Sequence, residues 1–96
     1  MERYGNMVKA VVDCKRTIMA IGAQMHADEE QMLLEDGSAQ EDLWGINLYP
    51  EKFGEDFIEF DSMINLRPRQ NNRTRSVDDP ARKEVIRSTV SILVPS

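Results

Sequence analysis

Ninety-six residues, 41% of them hydrophobic, are enough for one domain with a core and too apolar for a disordered chain. A net charge of −5 argues against non-specific nucleic-acid binding, and no apolar run approaches the roughly 18 residues of a membrane span. The opening Met1-Glu2-Arg3-Tyr4-Gly5-Asn6 has no apolar signal core, and Cys14 is the lone cysteine, so a cytoplasmic chain without internal disulfides is expected.

Residues 7–21 predict a β-hairpin. Val8, Ala10, Val12 and Cys14 alternate with Lys9, Val11, Asp13 and Lys15, the period of two that sends one set to each face of a strand. The turn falls in the polar stretch 13–16, and Thr17-Ile18-Met19-Ala20-Ile21 is the β-branched return, closed by Gly22. Cys14, in step with Ala10 and Val12, reads as a small buried hydrophobe rather than a reactive thiol.

A short helix is predicted over 27–35. Asp28, Glu29 and Glu30 crowd its first turn, where carboxylates offset the helix dipole; Met32, Leu33 and Leu34 form its apolar patch, and Gly37 stops it. Residues 43–49 predict a strand with Trp44, Ile46 and Leu48 on one face, ended by Pro50. The return strand is predicted over 57–67. Ile58, Phe60, Ile64 and Leu66 lie on one side, Glu59, Asp61, Met63, Asn65 and Arg67 on the other, and Ser62 marks a bulge. Residues 68–77 are polar and aperiodic, hence a loop. Asp79 before Pro80 is an N-cap acid ahead of a first-position proline, opening a helix over 80–93 with Ala81, Val85, Ile86, Thr89, Val90 and Leu93 as its stripe.

The order is ββαββα. The expected architecture is a two-layer α+β domain spanning 1–96, a four-stranded antiparallel sheet with two helices on one face. That leaves Met7, Val11, Leu43, Phe57 and Met63 on the uncovered face, an apolar surface that predicts a homodimer.

The segments KAVVD (9–13), HADEE (26–30), EDLWGINLYPEK (41–52) and IEFDSMINLRP (58–68) resemble a family of small bacterial proteins that constitutes a domain of unknown function. The resemblance runs from about residue 7 to residue 88, and the tryptophan segment is its most specific part. It implies no activity and transfers no functional residue. It also implies a further strand and helix ahead of the first hairpin, with residues 2–6 as the end of that helix.

Charge is segregated along the chain. From Asp28 to Asp61 there are twelve acids and one base, Lys52, whereas 67–75 holds four arginines and no acid. Arg67, Arg69, Arg73 and Arg75, with Asn71 and Asn72 as neutral donors, are the candidate site for an anion or an acidic protein surface, because guanidinium forks match carboxylate and phosphate oxygens. The bland alternative is a loop whose arginines pair with the domain's own acids or a partner subunit's. No aromatic residue in the loop could stack a base, so nucleic acid is not supported.

Glu59, Asp61 and His26 are the weak catalytic candidates. Converging carboxylates could hold a divalent metal or divide acid and base roles, but Glu59 and Asp61 equally fit the wet face of an antiparallel sheet. His26 and Glu30 would share a helix face, yet one histidine and one glutamate fall short of a catalytic zinc set, and His26 equally suits a helix start. No nucleophile elbow, dinucleotide fingerprint or phosphate loop is present, and no cofactor or metal is expected. Three functions stay open. The lead is a non-enzymatic, self-associating binding domain that contacts an anion or acidic partner through the arginine–asparagine loop. The alternatives are a small metal-assisted hydrolase or nuclease-like enzyme using Asp61, Glu59 and His26, and a structural subunit of a larger assembly.

Overall fold

The computed structural model describes residues 7–52 and 54–94. Its elements are β1 (Val8–Asp13), β2 (Ile18–Ile21), α1 (His26–Glu35), β3 (Leu43–Leu48), β4 (Ile58–Glu59) and α2 (Pro80–Leu93). The strands form one antiparallel sheet in the order β2-β1-β3-β4. The class and the order ββαββα are as expected. The implied helix end at residues 2–6 lies outside the described residues.

Local chemistry sets the boundaries. The β1–β2 turn is tied by Asp13, whose Oδ1 accepts the N–H groups of Lys15 and Arg16, each at 2.9 Å. Thr17 adopts φ 53° and returns its N–H to the Asp13 carbonyl at 2.8 Å. The carboxylate of Asp79 accepts the Ala81 N–H at 2.9 Å, and Pro80 at the first position gives up no bond the helix needs.

The helices do not share a face. Register pairs Ala10 with Ile46 and Val12 with Trp44, so these four point one way, while Val11, paired with Gly45, points the other. Ala10, Val12, Trp44, Ile46 and Leu48 pack with Val77, Ile86 and Val90, placing α2 over that face. Val11 and Leu43 pack with Leu33, Leu34 and Ile64, placing α1 over the opposite one. The expected single helical layer is therefore corrected to three layers, α2, sheet and α1. All six residues of β3 are buried, as a strand covered on both sides must be. Of the residues expected on an uncovered apolar face, Val11 and Leu43 are fully buried on the α1 side, whereas Met7 and Met63 are exposed. Met32, expected in the patch of α1, is instead 54% exposed.

The return strand is also shorter than predicted. β4 is only Ile58–Glu59, and Met63–Asn65 is a 3₁₀ turn rather than strand. Ser62, expected as a bulge, opens that turn by accepting the Ile64 N–H on its hydroxyl. The sheet continues past β4 by other means, and those means build the site.

Candidate functional site

Where β4 ends, the edge groups of β3 need partners. The fully buried carboxamide of Asn65 supplies them, accepting the Gly45 N–H at 2.8 Å and donating to the Gly45 carbonyl at 2.9 Å. A side chain thus does the work of a strand residue. Gly45 must be glycine here, because a Cβ would sit 2.6 Å from the Ser62 Cβ and 3.2 Å from the His26 ring.

Arg67 extends the same edge. Its guanidinium donates to the carbonyls of Gln40, Leu43 and Ile64 and lies 3.6 Å from the Glu30 carboxylate. It stacks 4.4 Å from the centre of the Trp44 ring, with Arg82 at 4.3 Å from the same ring. Burial lowers its pKa from the usual arginine value, and Glu30 acts to restore it. Arg67 is therefore spent on holding the edge together.

Asn72 fixes the loop that follows. Only 1% exposed, it donates to the carbonyls of Asn65, Thr74 and Ser76 and accepts the Asp78 N–H. Arg67 and Asn72 also exchange backbone bonds at 2.7 and 3.1 Å. Asn71 turns the chain with φ 61°. Pro68–Gln70 is a 3₁₀ turn within the expected loop.

This organised loop leaves Arg69, Arg73 and Arg75 exposed. Arg75 pairs with Asp61 at 2.8 Å, both side chains remaining about half exposed. Phe60, next in the chain to Asp61, lies beneath Lys83 and Arg87 at 5.2 and 5.4 Å from its ring centre. Arg87 also pairs with Glu84 at 2.8 Å, and the loop itself bonds the Asp78 carboxylate through the Arg73 N–H and the Thr74 hydroxyl.

The three weak catalytic candidates come near one another, but not as a reacting set. His26 opens α1, 8% exposed, and its Nε2–H donates to the Ile46 carbonyl at 2.7 Å, which fixes that nitrogen as the protonated one. Burial pushes its pKa below the usual histidine value. Asn47 donates to Glu59 at 2.9 Å and to the backbone carbonyl of Asp61 at 3.2 Å, while its own side-chain oxygen is buried without a partner. Tyr49 also donates to Glu59, at 2.8 Å. The Asp61 carboxylate faces away, to Arg75. Among the described residues, no three His, Cys, Asp or Glu side chains gather as a metal site would require.

A cleft of about 280 Å³ beside the first turn of α2 is lined by Cys14, Lys15, Trp44, Asp79 and Arg82, among others. Another, of about 300 Å³, lies between the start of β1 and residues 22–24. Neither is lined by His26, Glu59, Asp61 or the loop arginines. Cys14 is half-buried and burial raises its pKa to about 11, as suits a packed thiol.

Sequence reasoning took Glu29 for an acid of the helix's first turn and set Asn65 on the polar face of the return strand, with Asn47 able to face it from a neighbouring strand, and found none of their buried roles. The available signal was an amide set among apolar neighbours, as in Gly45-Ile46-Asn47-Leu48 and Met63-Ile64-Asn65-Leu66, since a buried amide there must be answering backbone groups. Glu29 is fully buried with one oxygen accepting the Ala23 N–H at 3.1 Å and the other unpartnered; burial raises its pKa to about 7.

The chain belongs to the family described as a protein of unknown function, DUF5674, whose model matches residues 1–93. No curated protein and no solved structure matches it.

Proposed function

We propose that this domain is a non-enzymatic, cytoplasmic binding module that docks an acidic protein surface on Arg69, Arg73 and Arg75, flanked by Lys83 and Arg87. The observation that carries this reading is the display of three exposed arginines from a loop whose backbone is held in place. The loop beneath them is stapled by buried Asn72 and anchored by Arg67, so little ordering cost remains to be met on binding. Arg67, Asn71 and Asn72 shape the loop rather than touch the partner. An acidic surface is favoured over a small anion because the exposed arginines line neither described cavity and spread along a loop. Their pairing with Asp61 is no obstacle, since half-exposed ion pairs are worth only about 0–1 kcal/mol.

Calorimetric titration with an oligoglutamate peptide should show binding that weakens as salt rises, because exposed charges are screened beyond about 8 Å at physiological ionic strength. Charge reversal by Arg73→Glu with Arg75→Glu should abolish it while the unfolding midpoint barely moves. Binding that survives the reversal would refute the proposal. So would a phosphate-ester hydrolysis that persists in the double variant but is lost in Asp61→Asn.

A further inference from the structure

We propose that the cleft beside the first turn of α2 binds a small apolar α-amino acid as its zwitterion. The cleft holds about 280 Å³, near the lower end of the range for small-ligand sites. One wall is α2, through Ala81 and Val85, a helical turn apart, with Arg82 beside them. The other is built from the segments just after β1 and just before β3, which the Cys14 N–H joins by donating to the Asp42 carbonyl at 2.9 Å. Trp44 also lines the cleft.

The indole of Trp44 is the group that calls for a ligand. The residue is fully buried, Arg67 and Arg82 lie over its ring, and its N–H has no acceptor among the described residues. Native folds seldom carry a buried donor unmet without a reason. An oxygen brought into the cleft would answer it. The Arg82 guanidinium over the same ring would then pair with the second oxygen of a carboxylate.

The surrounding charges select a zwitterion. Arg82 and Lys15 line the cleft beside Glu41, Asp42 and Asp79. A simple amine would meet the two cations and a simple carboxylate the three acids, whereas a ligand bearing both charges can pair with each set. Asp79 is already engaged, capping α2 through the Ala81 N–H and lying 3.9 Å from Arg82. Glu41 and Asp42 enter no ion pair among the described residues, which leaves them for an ammonium group. Ala81, Val85 and the Cys14 thiol, kept protonated by burial, offer the ligand's side chain an apolar bed. The cleft is not lined by the loop arginines, so this site and the docking loop stand or fall independently.

Trp44 is the chain's one tryptophan, so its fluorescence reads the site directly. L-leucine or L-valine titrated into the intact chain should change that emission saturably, and calorimetry should give the same midpoint. Isocaproate lacks the ammonium of leucine and isoamylamine lacks its carboxylate. Each should bind at least about tenfold more weakly, the loss expected for one charged contact. Arg82→Met should weaken leucine binding by a similar factor with unchanged far-ultraviolet dichroism. So should Glu41→Gln with Asp42→Asn, which serves if the Arg82 variant fails to fold. No saturable change with either amino acid overturns the proposal. So does equal binding by either one-charge analogue, or leucine binding that survives undiminished in a folded variant.

Discussion

Beyond the end of β4, two backbone groups of Gly45 depend on a single side-chain amide. Asn65→Ala would strand them in a dry site, and each unmet buried group costs about 1–3 kcal/mol. Urea unfolding should show a lower midpoint at unchanged slope; an unchanged midpoint would mean water or a neighbour replaces the amide without loss. Glu29 makes the other residue-level prediction. Its carboxyl, buried with only the Ala23 N–H for support, titrates at about 7 when folded against an ordinary 4.5. A carboxyl with a raised folded pKa binds its proton more tightly in the native state. It therefore contributes stability that is complete below about 4.5 and is lost as pH climbs through about 7, by at most about 1.4 kcal/mol per pH unit. Glu29→Gln should remove this decline, being more stable than wild type at pH 8 relative to pH 4. Parallel stability curves for the two proteins would show that Glu29 does not titrate in this range.

At the scale of elements, β3 is the strand that everything else must fit. It is covered by α2 on one face and α1 on the other, and at Gly45 it lies against Ser62 and His26 with no room for a methyl group. Gly45→Ala should force Ser62 away from the edge and lower the melting temperature by several degrees, as a strain of roughly 1–3 kcal/mol does in a domain of this size. A melting temperature equal to wild type would show that the Ser62 segment yields freely. Periodicity made the elements legible: the hairpin, β3, and α2 with its Asp79–Pro80 opening all follow from residue type and spacing. It misplaced α1, because the parity of Val11 and Leu43 was taken for exposed surface although Leu43-Trp44-Gly45-Ile46 is apolar on both faces. It overextended β4, because alternation through 57–67 cannot distinguish a strand from a chain held by one inserted asparagine. For the arginine loop, type and spacing identified the basic segment but not that Arg67 and Asn72 are internal fittings. That division depends on the edge of β3, brought near only by the fold.

The whole molecule separates its charges as its sequence does. Acids concentrated between residues 28 and 61 leave the chain at −5, yet Arg69, Arg73 and Arg75 stand exposed on an ordered loop, and Lys83 and Arg87 lie over Phe60. No helix among the described residues is long and apolar enough to cross a membrane, and the proposed docking face is this exposed arginine loop. An acidic partner approaching it would be steered by that local field against the repulsion of the rest. The most direct measurement is a residue-by-residue map of amide chemical-shift changes as oligoglutamate is added to isotope-labelled protein. Docking on the loop predicts shifts concentrated at 69–75 and along the first two turns of α2, diminishing together as salt is raised. Shifts centred instead on Lys15 and Arg16, or on His26, Asn47 and Glu59, or absent throughout, would contradict it.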